Sequence, residues 1–338
     1  MSHRTLAVRA ETWPLAGSFT ISRGSRTEVQ VVVAEISQDG ATGKGATGRG
    51  ATGKGECVPY PHYGESVDGV MAAIEAQAEP IAEGLDRQAL QSALPPGAAR
   101  NALDCALWDL EAKLSGEPVW RLAGLARPGP LITAYTLSLD SPEAMGAAAA
   151  AHAARPLLKL KLGGEGVVER VAAVRASAPQ SRIIVDANEA WTIDLLAQSS
   201  PELARLGVEM IEQPLPAGAD GALAGIERPV PLCADESCHD SATLAGLDAR
   251  YDIINIKLDK TGGLTEALAL ADAAQAAGLG IMVGCMIGTS LSMAPATLVA
   301  ARAGFVDLDG PLLLARDRQP GIAFEGSVMQ PPPPALWG

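Results

Sequence analysis

Two lysines, Lys159 and Lys161, sit two apart inside an otherwise apolar run, PLLKLKL. Four later apolar runs carry a charge near their ends: RIIVDAN has Asp186, VEMIEQP has Glu212, VPLCADE has Asp235 and YDIINIKL has Lys257. From Lys161 onward the steps are 25, 26, 23 and 22 residues. Each is about one strand-helix unit, so these residues should stand at matching heights around one rim. Strand side chains alternate, so Lys159 and Lys161 point the same way. Asp186, Glu212 and Asp235 are three like charges on successive strands and would raise one another's pKa. A hard divalent cation removes that penalty, and all-oxygen ligation with room for water suits Mg²⁺, one per subunit.

The lysines then acquire a role. The strand of Lys161 lies on one side of the carboxylate strands and that of Lys257 on the other. The two amines should approach a bound substrate from opposite faces, which suits removing a proton from one face of a carbon and returning one to the other. The expected proton is α to a carboxylate. Mg²⁺ and Lys159 would stabilise the doubly charged enolate. A lysine near a cation and a second lysine is expected to have a lowered pKa, making it a neutral base near pH 7.

These residues need a scaffold. From Leu131 eight apolar runs recur, LITAYTL, PLLKLKL, RIIVDAN, VEMIEQP, VPLCADE, YDIINIKL, LGIMVGC and FVDLD, each read as followed by a helical stretch. Eight such units argue for an α/β fold, a (β/α)7β TIM-like barrel over residues 126–315. Residues 1–125 read differently: a strand at Thr27–Ser37, helices at Val67–Glu83 and Gly97–Ser115, together an N-terminal α+β capping domain. The tail, 316–338, is expected to return to that cap.

Composition excludes several classes. A formal net charge of −13 argues against nucleic acid as a partner. No apolar run approaches membrane-spanning length, and the start has no signal-peptide pattern. The five cysteines include no C-x-x-C and read as reduced thiols in a cytoplasmic protein. Homo-oligomerisation is left open.

At the charged strand ends the chain resembles the enolase superfamily, in which a Lys or His base works with Mg²⁺ on an ene-diolate. The K-x-K of Lys159 and Lys161 and the NIKLDKTGG around Lys257 are similar to the muconate-lactonizing subgroup. The VDAN, EQP and ADES stretches match that family's metal strands, and LGIMVGC offers no histidine base. DLDGP, with Asp307 and Asp309, resembles the dipeptide epimerases, where it implies recognition of a free α-ammonium. FTISRGSRTE, ECVPYPHYGES, GAARNALDCALWDL and NIKLDKTGGLTEALALA are similar to bacterial L-Ala-D/L-Glu epimerases.

That resemblance implies Mg-dependent epimerisation of L-Ala-L-Glu to L-Ala-D-Glu and back, in recycling of murein peptides, with no organic cofactor. It implies that Lys161 takes the proton from the D form and Lys257 from the L form. It also implies a loop arginine on the glutamate side chain, Arg26 first and Arg23 next, and Thr136 on the dipeptide backbone. Cys285 and Met286 end the seventh run and are placed on the pocket wall. The alternatives are a broader L-Ala-X epimerase, muconate cycloisomerisation or o-succinylbenzoate synthesis on the same barrel, and a non-catalytic ligand-binding barrel.

One stretch stands apart. GATGKGATGRGATGKGE, from Gly40 to Glu56, repeats a five-residue unit three times. It contains no P-loop and has no aromatics for nucleic acid. It reads as a hairpin connection lengthened by repeat expansion, mobile, and dispensable down to one unit because closure cost grows only logarithmically.

Overall fold

The computed structural model describes residues 3–39 and 50–338. The chain opens with a three-stranded antiparallel sheet, β1 (Arg4–Ile21), β2 (Gly24–Gln38) and β3 (Ala51–Cys57). The alternation in VQVVVAEI divides β2 between two cores. Val29, Val31 and Val33 join the large core shared with the barrel; Val32, Ala34 and Ile36 face a smaller core under the cap helices.

Those helices are α1 (Val67–Glu75), α2 (Ala78–Ala82), α3 (Arg87–Ala93) and α4 (Ala98–Ser115). The single helix expected over 67–83 is broken: Gln77 leaves helical geometry at φ −90°, ψ 4°. Pro80 explains the break, since it has no N–H to give the carbonyl of Ala76 and its ring crowds that oxygen. α4 is the seam between cap and barrel. Arg100 donates to the carbonyls of Thr261 (2.7 Å) and Gly262 (3.2 Å), Asn101 Nδ2 donates to Asp259 (2.8 Å), and Asp104 accepts from the Thr265 N–H (2.9 Å). GAARNALDCALWDL and DKTGGLT, far apart in sequence, are thus two sides of one joint.

After α5 (Val119–Leu122) come β4 (Leu131–Ile132), β5 (Tyr135–Leu137), α6 (Pro142–Ala151), β6 (Leu157–Lys161), α7 (Val167–Ser177), β7 (Arg182–Asp186), α8 (Ile193–Arg205), β8 (Val208–Glu212) and β9 (Leu232–Ala234). The barrel finishes with β10 (Ile253–Ile256), α9 (Leu258–Thr261), α10 (Leu264–Ala276), β11 (Gly280–Gly284), α11 (Ser290–Ala300), β12 (Phe305–Asp307) and α12 (Gly310–Leu313). Strands β5 to β12 form one eight-stranded parallel sheet in sequential order. It closes through the Ala134 N–H to the Val306 carbonyl, 2.8 Å, and the Leu308 N–H to Thr133 Oγ1, 2.8 Å. Not every strand is followed by an α-helix. The connections after β8 and β9 carry only short 3-10 turns, Asp220–Leu223 and Ser241–Thr243. Prolines 214, 216, 229 and 231 deny the first a helix.

The tail forms β13 (Phe324–Glu325) and β14 (Val328–Met329), which pairs with β4. Its last residues reach α4: Trp337 Nε1 donates to the Cys105 carbonyl (3.0 Å) and the Gly338 N–H to Asp109 (2.8 Å). No described helix is long and apolar enough to cross a membrane.

The repeat proves unequal along its length. Its first two units, residues 40–49, lie outside the described residues, and so does the mobility expected for them. The third unit is not connection, as expected, but strand: β3 begins at Ala51, and Gly53 and Gly55 press against α4.

Candidate active site

The barrel interior is stacked by the strand pleat. Its lower layer is apolar: Ala134, Leu157, Ile184, Met210, Cys233 and Met282. One pleat further along, two residues on, each strand presents a different side chain to the interior. Leu157 gives way to Lys159 and then Lys161, Ile184 to Asp186, Met210 to Glu212, and Cys233 to Asp235. Ile253 likewise gives way to Asn255 and then Lys257, and Phe305 to Asp307 and then Asp309. The site is therefore the polar continuation of a dry core, and its charged side chains are buried.

Lys159 stands in the middle. Its ammonium lies 2.6 Å from Glu212 Oε2, 2.8 Å from Asp307 Oδ2 and 3.3 Å from Asp186 Oδ2. Lys161 pairs with Asp186 at 2.6 Å and Lys257 with Asp235 at 2.6 Å. β6 and β10 are four steps apart on a ring of eight strands, so Lys161 and Lys257 enter from opposed sides. Both line one narrow cavity of ≈70 Å³ with Asn188, Tyr63, Cys285 and Met286. It meets a wider cleft of ≈380 Å³ formed by the cap loops, the two sharing Ile21, Arg23, Arg26 and Tyr60.

Charge is not balanced in this cluster. Burial would raise the Asp186 pKa, but Lys161 and Lys159 override it and hold the group below the ordinary carboxylate range. Lys257 and Lys260 likewise outweigh burial and hold Asp235 well below that range. Glu212 goes the other way. Burial, with the charge of Asp186, pushes it up to about 7. Its Oε2 faces the Lys159 ammonium at 2.6 Å. Burial would lower the pKa of Lys257, yet Asp235 and Glu212 hold it well above its usual value, and Lys159 is raised in the same way by Asp307 and Glu212.

The residues fit a hard divalent cation. Three fully buried carboxylates end adjacent strands, and all donors are oxygens. Among the described residues, however, one group of three such side chains brings its ligand atoms within 4.8 Å of one another, and it is His62, Glu189 and Glu236 at the rim. Asp186, Glu212 and Asp235 are not such a group; each is turned to an ammonium instead.

The other expected residues are distributed as follows. Asp307 Oδ2 accepts from the Lys159 ammonium, and its buried Oδ1 has no partner. Asp309 Oδ2 accepts from the Thr136 N–H, 2.7 Å, and burial beside Asp307 pushes Asp309 up to about 7. Thr136 lines a different cleft, on the side of α6 with Ser138 and Met145, and meets the site through Asp309. Arg23 is held by Glu236 (2.8 Å), Glu189 (3.2 Å) and Tyr60 OH (3.0 Å). Arg26 lines the same cavity, exposed, with no ion pair among the described residues.

Several participants escaped the sequence reading. Lys260 is fully buried and donates to Asp235 Oδ1 (2.7 Å) and to the carbonyls of Asp235 (2.6 Å) and Asn255 (2.8 Å). Asn255 Nδ2 donates to Glu212 Oε1, 2.7 Å, in space left by Gly284, where a Cβ would come within 2.7 Å of the amide oxygen. Gln213 accepts the Asp235 N–H on its side chain, 2.8 Å. Asn188, Glu189 and Gln213 have φ of 43°, 67° and 34° and follow directly on the strand ends of Asp186 and Glu212. Such non-glycine left-handed residues gather where a site holds the backbone in place. Only Lys260 carried a signal, its three-residue spacing from Lys257.

Residues 3–124 match the N-terminal domain model of mandelate racemase / muconate lactonizing enzyme, and residues 144–323 match the enolase C-terminal domain-like model. The chain is 47% identical over 323 residues to L-Ala-D/L-Glu epimerase of Escherichia coli K12, covering 95% of this chain and 98% of that one. It is also 47% identical to an N-acetyl-D-glutamate racemase of Pseudoalteromonas, over 84% of this chain and 90% of that one. Among solved structures it superimposes, at a TM-score of 0.93 and 56% identity, on an Agrobacterium tumefaciens enolase family member with homology to dipeptide epimerases, solved with sodium and L-Ala-L-Glu bound. That match covers 99% of this chain and 100% of the other.

Proposed function

The chain belongs to the enolase superfamily, with a mandelate racemase / muconate lactonizing enzyme cap on an enolase-type barrel, and on that premise we propose that it is an isomerase that epimerises L-Ala-L-Glu and L-Ala-D-Glu. The observation that carries this reading is the opposed pair Lys161 and Lys257, lining one cavity from strands on opposite sides of the ring. Lys257 takes the α-proton of the L form while Lys161, as ammonium, delivers one to the other face; the reverse reaction exchanges their roles. Atoms balance, since one C–H bond breaks and one forms. Lys159 faces the negative charge that gathers on the substrate carboxylate. Asp186, Glu212 and Asp235 are the residues that would hold Mg²⁺, which would supply Lewis-acid stabilisation of that carboxylate and draw Asp235 away from Lys257. Recycling of murein peptides is the biological setting we infer.

Arg26 fits the substrate's side-chain carboxylate, being the cavity's exposed guanidinium without an ion pair among the described residues. Arg26→Ala is expected to raise KM for L-Ala-L-Glu about tenfold or more, from loss of a charge-assisted hydrogen bond of about 1.5–3 kcal/mol. Steady-state kinetics check this, and an unchanged KM would remove Arg26 from the site.

The relative that racemises an N-acetylated glutamate keeps a second substrate in view. The two differ at the amine, which is charged in a dipeptide and neutral when acetylated. The deciding experiment follows α-deuterium by NMR in D₂O with L-Ala-L-Glu and with N-acetyl-L-glutamate. Inversion with label in the dipeptide is expected, and no exchange with it would end the proposal. Asp309→Asn adds discrimination because it deletes charge while keeping the acceptor for the Thr136 N–H, and Asp307 is the poorer choice since it also holds Lys159. It is expected to cut kcat/KM for the dipeptide about 10–100-fold.

A further inference from the structure

We propose that the mouth of the barrel carries a second cation site, one for a late first-row divalent ion such as Zn²⁺, formed by His62, Glu189 and Glu236. Their ligand atoms lie within 4.8 Å of one another. His62 Nε2 is 2.7 Å from Glu189 Oε2. Glu236 is the second, independent indication. It is only 5% exposed, and its Oε2 has no hydrogen-bond partner. A buried carboxylate oxygen left unmatched costs free energy that a cation would recover. One imidazole nitrogen with two carboxylates suits Zn²⁺ with an open position for water, whereas Mg²⁺ prefers oxygen alone. The site is therefore selective against the ion assigned to Asp186, Glu212 and Asp235.

Arg23 now holds the place. Its guanidinium lies 2.8 Å from Glu236 Oε1 and 3.2 Å from Glu189 Oε2. It shows that the spot gathers positive charge, and it makes Arg23 the ion's competitor. Geometry also gives the consequence. His62 belongs to the cap loop Pro61–Tyr63, while Glu189 and Glu236 follow β7 and β9 of the barrel. An ion here ties the cap loop to the barrel across the cleft of ≈380 Å³ that Arg23, Arg26 and His62 line. Bound Zn²⁺ clamps that loop down and slows exchange of substrate.

The test is equilibrium dialysis of Zn²⁺ into the full chain held in saturating Mg²⁺, with Co²⁺ absorption to report the imidazole ligand. Wild type is expected to take up one Zn²⁺. His62→Ala and Glu189→Gln should weaken uptake by about tenfold or more, and Arg23→Ala should tighten it. No uptake by wild type, uptake by both ligand variants equal to wild type, or weaker uptake by Arg23→Ala would each overturn the site. These measurements need no substrate, so they stand whether or not the epimerase reading does. The clamp rests on that reading and is read separately: Zn²⁺ should slow dipeptide turnover in wild type and not in His62→Ala, and equal inhibition of both would overturn it.

Discussion

Lys161→Ala stops net epimerisation of both dipeptides but leaves the α-proton of the L form exchanging with D₂O, and Lys257→Ala does the same for the D form alone. Each variant keeps one base on one face. The remaining lysine removes a proton, trades it for deuterium and returns it to the side it came from, so label enters without inversion. Loss of a positioned acid or base is worth about 10²–10⁴ in rate. We expect kcat for epimerisation to fall about 10³-fold, close to 4 kcal/mol of barrier. The fold should survive, because each carboxylate retains a second ammonium. Asp186 keeps Lys159 at 3.3 Å, and Asp235 keeps Lys260 at 2.7 Å. Circular dichroism checks the fold, and NMR in D₂O separates exchange from inversion. A single variant that still inverts at near wild-type rate would show that its lysine is not a base. Exchange of both hands by one variant would show that one amine serves both faces.

The sequence reveals this chemistry unevenly, for physical reasons. The charged strand ends were legible because parallel strands buried on both faces are otherwise apolar, so a Lys or Asp at regular intervals has no bland explanation. The eight runs reveal the barrel by the same contrast. Residues that act through hydrogen bonds are not legible this way. Asn255 looks like an ordinary strand amide until Glu212 is found beside it across the ring, and Gln213 until its side chain is seen to hold the Asp235 backbone. The helix missing after β8 was hidden because an Ala- and Gly-rich stretch reads as helix until its prolines are weighed; the connection after β9 has no proline, and nothing in its sequence explains the absence. The ion pairs were hidden for a different reason: strand spacing does not show that Lys257 lies 2.6 Å from Asp235. Resemblance alone ranks Arg26 ahead of Arg23; the physical reason for that order, that Arg23 is tied to Glu236, is not legible in the sequence.

Gly55→Ala, one added methyl group, should unfold the cap more readily than removal of ten residues just upstream. The contrast follows from where the third repeat unit lies. β3 runs along α4 with Gly55 against Ala102 and Ala106 and Gly53 against Ala106 and Leu110, contacts spaced by one helical turn. A Cβ on Gly55 would overlap the Ala102 carbonyl oxygen and lie 2.8 Å from the Ala106 nitrogen; on Gly53 it would lie 2.7 Å from Leu110 Cβ. The obstacles are largely helix backbone, which cannot rotate away. Overpacking of this kind costs about 1–3 kcal/mol or more. What selects the third unit as strand is the second residue after it. Glu56 is buried and accepts from the Thr289 N–H at 2.8 Å and from Arg318 Nη2 at 2.6 Å, so no earlier unit, with Ala at that position, can take its register. Now excise residues 40–49, two whole units. Gln38 and Ala51 are already register partners, and Asp39-Gly50 becomes the two-residue link between them. Asp-Gly is a favoured sequence for the type I′ turn that joins antiparallel strands. Shortening the connection also lowers the entropic cost of closing it, by about 1.5 kcal/mol. The excised chain should therefore melt at or above the wild-type temperature with unchanged turnover, while Gly55→Ala melts several degrees lower. Thermal melts and dipeptide kinetics on both variants decide it. A deletion that loses turnover would place the repeat within the site's working parts, and a Gly55→Ala that melts like wild type would mean that β3 and α4 do not approach this closely.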